Sequence, residues 1–512
     1  MFDALKNLWQ SDGAERSPEE LAHIAAVVGD PLNDTPRLAY AQWLRSNGAG
    51  EIAETIELDI RTGDMQPTDP EYLALCDRLD ELQNAHGYQI YADLAKIGVL
   101  PEEEDEEGSL LYVDAWIDRG LVTNILLTDP TILPGRADEF FYAAPFVLSL
   151  EFWYDPIEMQ ALMQLPQMAQ LHSLKFTLSE LSTEDVRFLT ESEHLTGLRQ
   201  LELGGVEDPV AAARLLAKSI LLGQLTHLAF DDVEIGEAGL RNLLSSGKLR
   251  QLKNLALGGA RLGEQGLLPL LQCQDLSGLE ELNLERNLDL GPAIGRLAVS
   301  SLKGLRRLSL ASCYGGWEDG FRSFVEQLAL PRLEALNLAN NELGDAGARA
   351  LAAAPWLARL KELNIAQCGV TVAGMQALAA SRYLDQLTHL DCSENDLSEG
   401  GLAALVSARN LRLEGLTAID CQLEAADVQA LAKAPSCSSL LWLDLSGNDF
   451  DEDVVDALCN ATFAGRLLSL SLSNITEEDE ERLMAAFGED VINVDQDDEV
   501  GDWEEDDWDD ED

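Results

Sequence analysis

The chain has 512 residues, of which 46% are hydrophobic and 25% charged, so it is long enough for two to four folded domains at roughly 150 residues each. Its 92 acidic residues against 35 basic residues give a formal net charge of −57. A charge of this sign opposes binding to nucleic-acid phosphates and to anionic membrane surfaces, so we expect a basic protein as partner, with no nucleic acid and no membrane.

Three features of the sequence predict the cellular compartment. The N-terminus carries neither the apolar core nor the small-residue cleavage site of a secretory signal. No run of about 18 uncharged apolar residues occurs. The eight cysteines are scattered, without a close CxxC pair or metal-ligand spacing. We therefore expect a cytoplasmic protein with reduced thiols.

A helical N-terminal domain is predicted to cover residues 1–100, with a compact module at 17–61. The segment Ser17–Glu20 reads SPEE, which is a capping box with proline at the first helical position. The run PLNDTPRLAYAQWLRSNGAGEIAETIELDI resembles the repeat-companion domain found at the N-termini of bacterial repeat proteins, with Gln42 where that domain usually has aspartate. The resemblance implies a bacterial protein whose function lies in the repeats that follow.

Two segments connect this domain to the repeats. Residues 101–108 contain six consecutive acidic residues and are predicted to form an acidic linker, because dense like charges repel and stay solvated. Residues 109–146 are predicted to form an irregular N-terminal cap, which covers the open end of the repeat array.

Internal repeats dominate residues 147–475. The pattern L-x-x-L-x-L occurs thirteen times between Val147 and Leu467, at spacings of 24 to 28 residues. In the unit Leu333–Leu360, LEALNL favours a strand, ANNELGDAG a turn and ARALAAAPWLARL a helix. Positions 1, 4 and 6 of the unit are predicted to face inward, and positions 3, 5 and 7 to face the opposite side. One unit cannot bury its apolar face alone, so neighbouring units are predicted to stack.

Position 9 of the unit carries an alternation of asparagine and cysteine. A small polar side chain can satisfy backbone groups where the chain turns inward after the strand, and a large apolar residue cannot. The first five units are degenerate at this position. From the sixth unit onward we predict a structural ladder made of Asn287, Cys313, Asn341, Cys368, Asn395, Cys421 and Asn448.

This alternation resembles the ribonuclease-inhibitor class of leucine-rich repeats, in which Cys-type and Asn-type units alternate. The resemblance covers roughly residues 147–475. It implies an α/β fold: a leucine-rich repeat solenoid, shaped as a horseshoe with a concave parallel sheet and outer helices, preceded here by a small all-α domain. It also implies protein binding, because the family consists mostly of protein-binding modules. Inhibition of a ribonuclease is not carried over, since this chain has far fewer cysteines than the protein that names the class.

The C-terminal end is predicted to contain a helix and a tail. Residues 476–488 are predicted to form a capping helix that starts at Thr476. Residues 489–512 are predicted to form a disordered acidic tail, because 15 of these 24 residues are acidic and none is Lys or Arg. Trp503 and Trp508 interrupt the acidic tail. The tail therefore either binds a basic partner, with the charges steering it and the rings anchoring it, or serves only solubility.

The sequence contains no recognisable catalytic motif. Motifs of zinc hydrolases, phosphate-binding loops, dinucleotide-binding folds and serine hydrolases are absent from it. The position-9 thiols are interpreted as structural rather than nucleophilic. His389 and Asp391 lie two apart on one predicted strand, as either an acid–base or metal-binding pair or two solvated polar residues, and we expect the second. We therefore predict a protein that is not an enzyme and that has no cofactor and no metal.

The concave face is the predicted functional surface. Toward the C-terminal half its outward positions place a tryptophan among carboxylates, which is the composition of a binding hot spot for arginine-bearing partners. A neighbouring loop that covers Trp442 is the alternative. Trp153, which shares a strand face with Glu151, raises the same question at the other end. The predicted partner-binding residues are Glu362, Asn364, His389, Asp391, Trp442 and Asp444.

The predicted function is a non-enzymatic scaffold for protein–protein interaction that binds a basic partner on the concave face. Two alternatives stay open. The layout is similar to that of proteins that activate Ran-type GTPases, which combine the same repeat class with an acidic C-terminal tail, and stimulation of GTP hydrolysis would identify such a regulator. A chaperone-like shield for basic proteins is the other alternative, which strong salt dependence and many unrelated basic partners would favour.

Overall fold

The computed structural model divides into two compact units, Met1–Asn287 (unit 1) and Leu288–Asp512 (unit 2). The predicted acidic linker 101–108 and residues 496–512 of the predicted tail, with Trp503 and Trp508, lie outside the described residues. The structure describes residues 16–66, 69, 71–96, 115–127, 131–153, 158–177, 179–288, 290–313, 317–450, 452–473, 475–488 and 491–495.

Unit 1 begins with four helices: α1 (Pro18–Gly29), α2 (Asp34–Ser46), α3 (Gly50–Asp64) and α4 (Tyr72–Lys96). The hydroxyl of Ser17 caps α1 by accepting a hydrogen bond from the backbone N–H of Glu20 at 3.1 Å. Apolar residues at helical spacing, such as Leu21, Ile24 and Val28, are buried between the helices.

A β-hairpin follows, made of β1 (Ala115–Asp118) and the antiparallel strand β2 (Leu121–Leu127). Its turn residues Arg119 and Gly120 both have positive φ, 51° and 74°, which is the geometry of a tight hairpin turn. The turn packs on α3, where the Gly120 N–H donates to Asp59 Oδ2 at 2.6 Å. A Cβ at Gly120 would lie 2.3 Å from the Cα of Ile56, so only glycine permits this approach.

The helices and the hairpin share one hydrophobic core. The buried cluster that contains Ile24, Tyr40 and Ile56 also contains Leu121 and Phe146, which come from the segment predicted to cap the repeats. The helical module is therefore built on the start of the repeat array, and α1–α3 do not enclose their core alone.

The rest of unit 1 alternates strands with helices. From β2 to β8 each strand is parallel to the next one in the chain and pairs with it residue by residue. The elements are α5 (Ile132–Ala143), β3 (Ser149–Trp153), α6 (Met159–Leu162), β4 (Ser173–Thr177), α7 (Thr183–Glu191), β5 (Gln200–Leu203), α8 (Pro209–Lys218), β6 (His227–Ala229), α9 (Gly236–Leu244), β7 (Asn254–Ala256), α10 (Gly263–Gln272) and β8 (Glu281–Asn283).

Unit 2 continues the same alternation with parallel strands. Its elements are α11 (Ile294–Leu297), β9 (Arg307–Ser309), α12 (Trp317–Gln327), β10 (Ala335–Asn337), α13 (Gly344–Ala353), β11 (Glu362–Asn364), α14 (Val372–Ala379), β12 (His389–Asp391), α15 (Gly401–Val406), β13 (Gly415–Thr417), α16 (Ala425–Lys433), β14 (Trp442–Asp444), α17 (Glu452–Cys459), β15 (Ser469–Ser473), α18 (Glu477–Phe487) and β16 (Ile492–Asp495). No helix among the described residues is long and apolar enough to cross a membrane.

The same leucine positions are buried in successive repeats. Leu333, Leu336 and Leu338, at positions 1, 4 and 6 of one repeat, are each at most 2% exposed and form the core with their counterparts in neighbouring repeats. Positions 3, 5 and 7 face the other way, and we call the surface they form the polar sheet face. The alternation of helices and parallel strands predicted from the leucine spacing is confirmed.

The C-terminal end differs from the prediction. The hydroxyl of Thr476 caps α18 by accepting from the Asp479 N–H at 3.2 Å. Residues Ile492–Asp495, which were predicted to belong to the disordered tail, form β16 and pair with β15. Val491 and Ile492 are 6% and 8% exposed, so these apolar residues cover the last repeat although acidic residues surround them in the sequence.

At position 9, each asparagine side chain connects two repeats. Asn395 Oδ1 accepts from the backbone N–H groups of Cys368 and Val370 in the preceding repeat, at 3.1 and 2.8 Å. Its Nδ2 donates to the Ile365 carbonyl of that repeat and to the Cys392 carbonyl of its own, at 2.8 and 2.9 Å. The same two-repeat pattern recurs at Asn287, Asn341 and Asn448.

The cysteines at position 9 make fewer bonds in the same places. The Cys368 thiol donates to the Leu338 carbonyl at 3.1 Å, and its sulfur accepts from the Asn341 N–H. The Cys421 thiol donates to the Cys392 carbonyl at 3.3 Å. A thiol offers one weak donor where the amide offers two strong ones, so the asparagines hold most of the contact between repeats.

We expect Asn395→Ala to lower the free energy of unfolding by about 3 kcal/mol or more, because it leaves several buried backbone groups of two repeats without partners. Cys368→Ala is the matched variant in the same row and should cost only about 1 kcal/mol, since it removes one weak donor. Urea unfolding of the two variants and the wild type measures the difference. Equal losses would contradict the unequal roles of asparagine and cysteine.

Candidate functional site

The six predicted partner-binding residues lie on three parallel strands of unit 2, β11, β12 and β14, and β13 lies between the last two. Pairing between these strands is in register, so residues at the same repeat position form straight rows across the polar sheet face. The position-3 row consists of Glu362, His389, Gly415 and Trp442, and the position-5 row of Asn364, Asp391, Thr417 and Asp444.

Two of these residues, His389 and Trp442, form an aromatic surface together with Gly415 between them, and we call these three residues the aromatic shelf. The imidazole and indole rings approach with centroids 5.7 Å apart and an interplanar angle of 32°, although β13 lies between their strands. Gly415 permits this contact, because a Cβ there would lie 2.5 Å from His389 Cδ2. Trp442 remains 39% exposed, so the indole is not enclosed by a loop.

A further hydrogen bond orients the histidine. The Thr388 hydroxyl lies 3.0 Å from His389 Nδ1, where either atom serves as donor according to the imidazole tautomer. This contact fixes one edge of the ring while Gly415 leaves room for its other edge. The imidazole ring therefore has a defined orientation beside the indole.

The position-5 side chains have a structural task that the sequence did not reveal. Asn364, Asp391 and Asp444 each accept a hydrogen bond from the backbone N–H two residues further on, at 2.8, 3.1 and 3.0 Å. This contact turns the chain after each strand, as short Asn and Asp side chains commonly do. The same contact occurs at Asn283 and Asn337.

Asp391 is fully engaged by hydrogen bonds. Its Oδ1 also accepts from the Ser393 hydroxyl at 2.7 Å, and its Oδ2 accepts from Asn364 Nδ2 at 2.7 Å. No hydrogen bond joins it to His389 in the part of the chain that the structure describes. Asp444 differs, because its Oδ2 has no hydrogen-bond partner among the described residues and stays available beside Trp442.

Glu362, at the edge of the position-3 row, is already paired. Its carboxylate receives both terminal nitrogens of Arg307 from two strands away, at 3.0 and 2.5 Å. The intervening residue Ala335 is small, which lets the arginine reach across β10. Both partners are about half exposed, so such a pair contributes about 0 to 1 kcal/mol and a cation from outside can compete for the carboxylate.

Three of the buried thiols, those of Cys368, Cys392 and Cys437, have a raised pKa. Burial raises the pKa of Cys368 to about 12 and that of Cys437 to about 11. A hydrogen bond to the sulfur of Cys421, together with burial, raises the pKa of Cys392 well above the usual range. The thiolate is the reactive form of cysteine, so these shifts suppress reactivity at neutral pH.

No metal centre is formed by the predicted residues. Across the described ranges, no group of three or more His, Cys, Asp or Glu side chains is arranged to hold a metal ion.

Trp153, the other tryptophan singled out in the sequence, lies in unit 1. Its Nε1 donates to Glu151 Oε1 at 2.6 Å, so the indole is hydrogen-bonded to the carboxylate on its own strand.

Sequence reasoning did not find Gly415 or Ala335. Both residues are small and occupy position 3 of their repeats. Within a single repeat, a small residue at this position gives no sign of a special role. Alignment of the position-3 residues of successive repeats carries the signal, because a small residue between two long ones predicts contact across the intervening strand.

We expect Gly415→Ala to displace the His389 ring from Trp442 and to change the free energy of unfolding by less than about 1 kcal/mol, because a side-chain end moves and not the backbone. The histidine resonances in an NMR spectrum report this, since the indole ring current acts on His389 only at contact distance. Gly278→Ala is the control, because nothing lies within 4 Å of a Cβ there. An unchanged His389 resonance in Gly415→Ala would contradict the shelf.

Thiol labelling of the native protein with iodoacetamide should separate the cysteines into two groups, with mass spectrometry as the readout. Cys76, Cys273 and Cys459 are partly exposed and should be modified, whereas the buried thiols should react only after unfolding. Labelling of native Cys368 as fast as that of Cys273 would show that its burial and raised pKa are wrong. The protected set is Cys313, Cys368, Cys392, Cys421 and Cys437.

Comparison with known proteins gives structural likenesses only. No protein-family model matches the chain, and no curated protein matches it. An internalin (inlF) from Listeria monocytogenes is 19% identical with a TM-score of 0.36, over 61% of this chain and 85% of that one. TLR13 in a complex with ssRNA13 is 17% identical with a TM-score of 0.36, over 69% of this chain and 56% of that one. A chain in the crystal structure of the Rad7 and Elc1 complex of yeast is 15% identical with a TM-score of 0.44, over 94% of this chain and 98% of that one. At these identities and TM-scores, none of the three likenesses indicates what this chain binds.

Proposed function

We propose that this protein is a non-enzymatic binding scaffold that holds a basic protein partner against the polar sheet face of β11–β14. The proposal rests chiefly on one observation: Trp442 is 39% exposed and is supported by His389 across Gly415, with an unpaired oxygen of Asp444 two residues along the same strand. We further propose that this face is the concave side of a horseshoe.

The chemistry of the aromatic shelf suits a cationic side chain. An indole face attracts a guanidinium or ammonium group, with a gain of about 0.5 to 2 kcal/mol that increases as water is excluded. Asp444 Oδ2 can accept a charge-assisted hydrogen bond from the same cation. An arginine satisfies both contacts at once, because its planar group stacks on the ring while its edge donates to the carboxylate.

The surroundings of the shelf favour arrival of a basic partner. The net charge of −57 creates a negative field that accelerates the encounter and selects against acidic proteins. The carboxylate of Glu362 is already paired with Arg307. A second basic side chain of the partner would therefore have to displace this arginine from the carboxylate. The field therefore governs the rate of binding, and the shelf governs its specificity.

Binding is a better match to these side chains than catalysis. Asp391 accepts three hydrogen bonds, so both of its carboxylate oxygens are already engaged by neighbouring groups of the protein. The position-9 thiols are buried within the contacts between repeats. The accessible groups include an aromatic ring, an imidazole, one oxygen of Asp444 and the half-exposed carboxylate of Glu362, which are suited to recognition.

A chaperone-like shield for basic proteins is the second candidate, and the magnitude of the net charge favours it. Such a protein would bind many basic partners through its field and would need no particular side chain. Its binding would weaken steeply with salt, because the interactions of exposed charges are screened over about 10 Å at 0.1 M ionic strength.

We expect an arginine-rich peptide to bind the full chain and to lose about thirtyfold in affinity on Trp442→Ala, which is the roughly 2 kcal/mol of a hot-spot residue. Fluorescence anisotropy of the labelled peptide at low and at moderate salt measures this. Ile220→Ala is the control, because this side chain is 88% exposed and lies outside the sheet strands.

Retention of binding by Trp442→Ala at low salt, together with loss of binding for every variant at moderate salt, would contradict the shelf as the specific site. That result would favour the shield. A lysine-rich peptide of the same length should bind more weakly than the arginine-rich peptide, since an ammonium group cannot stack on the ring and bond Asp444 in the same way.

A further inference from the structure

Unit 1 contains a cleft of about 280 Å³ on its own polar sheet face, between β1 and β5. Its floor consists of Ser149 and Ser173, which are paired residues on the adjacent strands β3 and β4. Asn124 and Gln200 continue the same row on either side and are longer, so two successive serines leave a gap in the row. We call this gap the serine cleft.

The floor of the serine cleft holds a polar group without a partner. Ser173 is 6% exposed, and its hydroxyl has no hydrogen-bond partner in the part of the chain that the structure describes. A buried hydroxyl without a partner costs about 1 to 3 kcal/mol, so it is usually bonded to something. Ser149, beside it, is also buried at 9% exposure. A ligand that bonds these two oxygens would remove the penalty.

Three charges lie along the next row of the cleft. The ammonium group of Lys175 lies between two carboxylates, 3.9 Å from Glu151 Oε2 and 3.8 Å from Glu202 Oε2. Glu151 is further fixed through its Oε1, which accepts from Trp153 Nε1 and from the Thr177 hydroxyl. The lysine is therefore neutralised, and the three groups together carry one negative charge. This balance favours a cationic ligand over an anionic one.

An aromatic wall completes the serine cleft. Trp116 pairs with Asn124 across the β-hairpin and is 46% exposed, so the indole has an accessible surface beside the serine floor. An aromatic face next to a net negative charge is the surrounding that organic cations prefer. The volume lies just below the roughly 300 to 1,000 Å³ of drug-sized pockets, which leaves room for a group of side-chain size.

We propose that the serine cleft binds a guanidinium group. The group would stack on Trp116 and donate from its planar edge to the hydroxyl oxygens of Ser149 and Ser173, which stand on strands about 4.8 Å apart. Its five N–H donors and permanent charge match a floor of acceptors with a negative rim. This site goes beyond the proposed function, because it lies in unit 1 and requires no residue of the aromatic shelf.

Isothermal titration calorimetry of the full chain with agmatine, a guanidinium compound without a carboxylate, tests the proposal. We expect saturable binding that weakens at least about fivefold in Trp116→Leu and in Ser173→Val. Ser469→Val is the matched control, because Ser469 occupies position 3 of the last repeat and lies outside the cleft; it should bind agmatine like the wild type. Absence of saturable binding, or binding unchanged in both cleft variants, would overturn the proposal.

Lys175→Met distinguishes a cation site from an anion site and keeps the test valid if Ser173→Val folds poorly. Removal of the ammonium group leaves two carboxylates, so agmatine should bind at least about threefold more tightly. Weaker agmatine binding in Lys175→Met would overturn the proposal. Equal affinity for 1,4-diaminobutane, which has two ammonium groups and no planar group, would overturn the assignment to guanidinium.

Two further probes identify where the guanidinium group comes from. Tighter binding of free L-arginine than of agmatine would support a free amino acid as ligand. Equal binding of agmatine and of N-acetyl-arginine amide, with no gain for free arginine, would support the arginine side chain of a polypeptide. Failure of these probes would leave the aromatic shelf unaffected, because the shelf is tested with a different peptide ligand and with Trp442→Ala in unit 2.

Discussion

The arrangement of the second unit depends on one hydrogen-bonding geometry, in which the position-9 side chain of a repeat bonds the backbone of the repeat before it. Asn395 receives two N–H groups of the preceding repeat and donates to carbonyls of both repeats. The same contact recurs at Asn341 and Asn448, and Cys368 and Cys421 make a weaker one, so it helps to hold neighbouring strands in the same register. The straight rows on the polar sheet face follow from that register, and so does the alignment of His389 with Trp442. Recognition and stability are therefore coupled, because a repeat that slipped by one residue would lose both.

Contrast in side-chain size along a row determines what the polar sheet face can do. A small residue between two long ones allows them to touch, as Gly415 does for the aromatic shelf and Ala335 does for the ion pair across it. Two small residues in succession have the opposite effect and open a gap, as in the serine cleft. The net negative charge alone would make the whole surface repel anions uniformly. The pattern of small residues divides that surface into places with different chemistry.

Much of the fold could be predicted from the sequence, because leucine spacing reports directly on which side of each strand is buried. The candidate site could be predicted only in part. The outward direction of residues such as Trp442 follows from alternation within one strand. The bond from Asp391 to its own backbone depends on the turn after the strand, and the role of Gly415 depends on neighbours on two other strands. The strand at Ile492–Asp495 was missed because acidic composition outweighed a short apolar alternation in the prediction.

The core shared by α1–α3 with Leu121 and Phe146 bears on how such a chain can be rearranged in evolution. Recombination tends to succeed where few contacts cross the breakpoint, and by composition the run of acidic residues in 101–108 looks like such a place. A breakpoint within 101–108 would nevertheless separate the helices from two side chains that fill their core and from the hairpin turn that Gly120 seats against Ile56. The smallest exchangeable segment therefore extends beyond Phe146. The helices, the hairpin and the segment up to Phe146 would have to be transferred together for this core to stay intact.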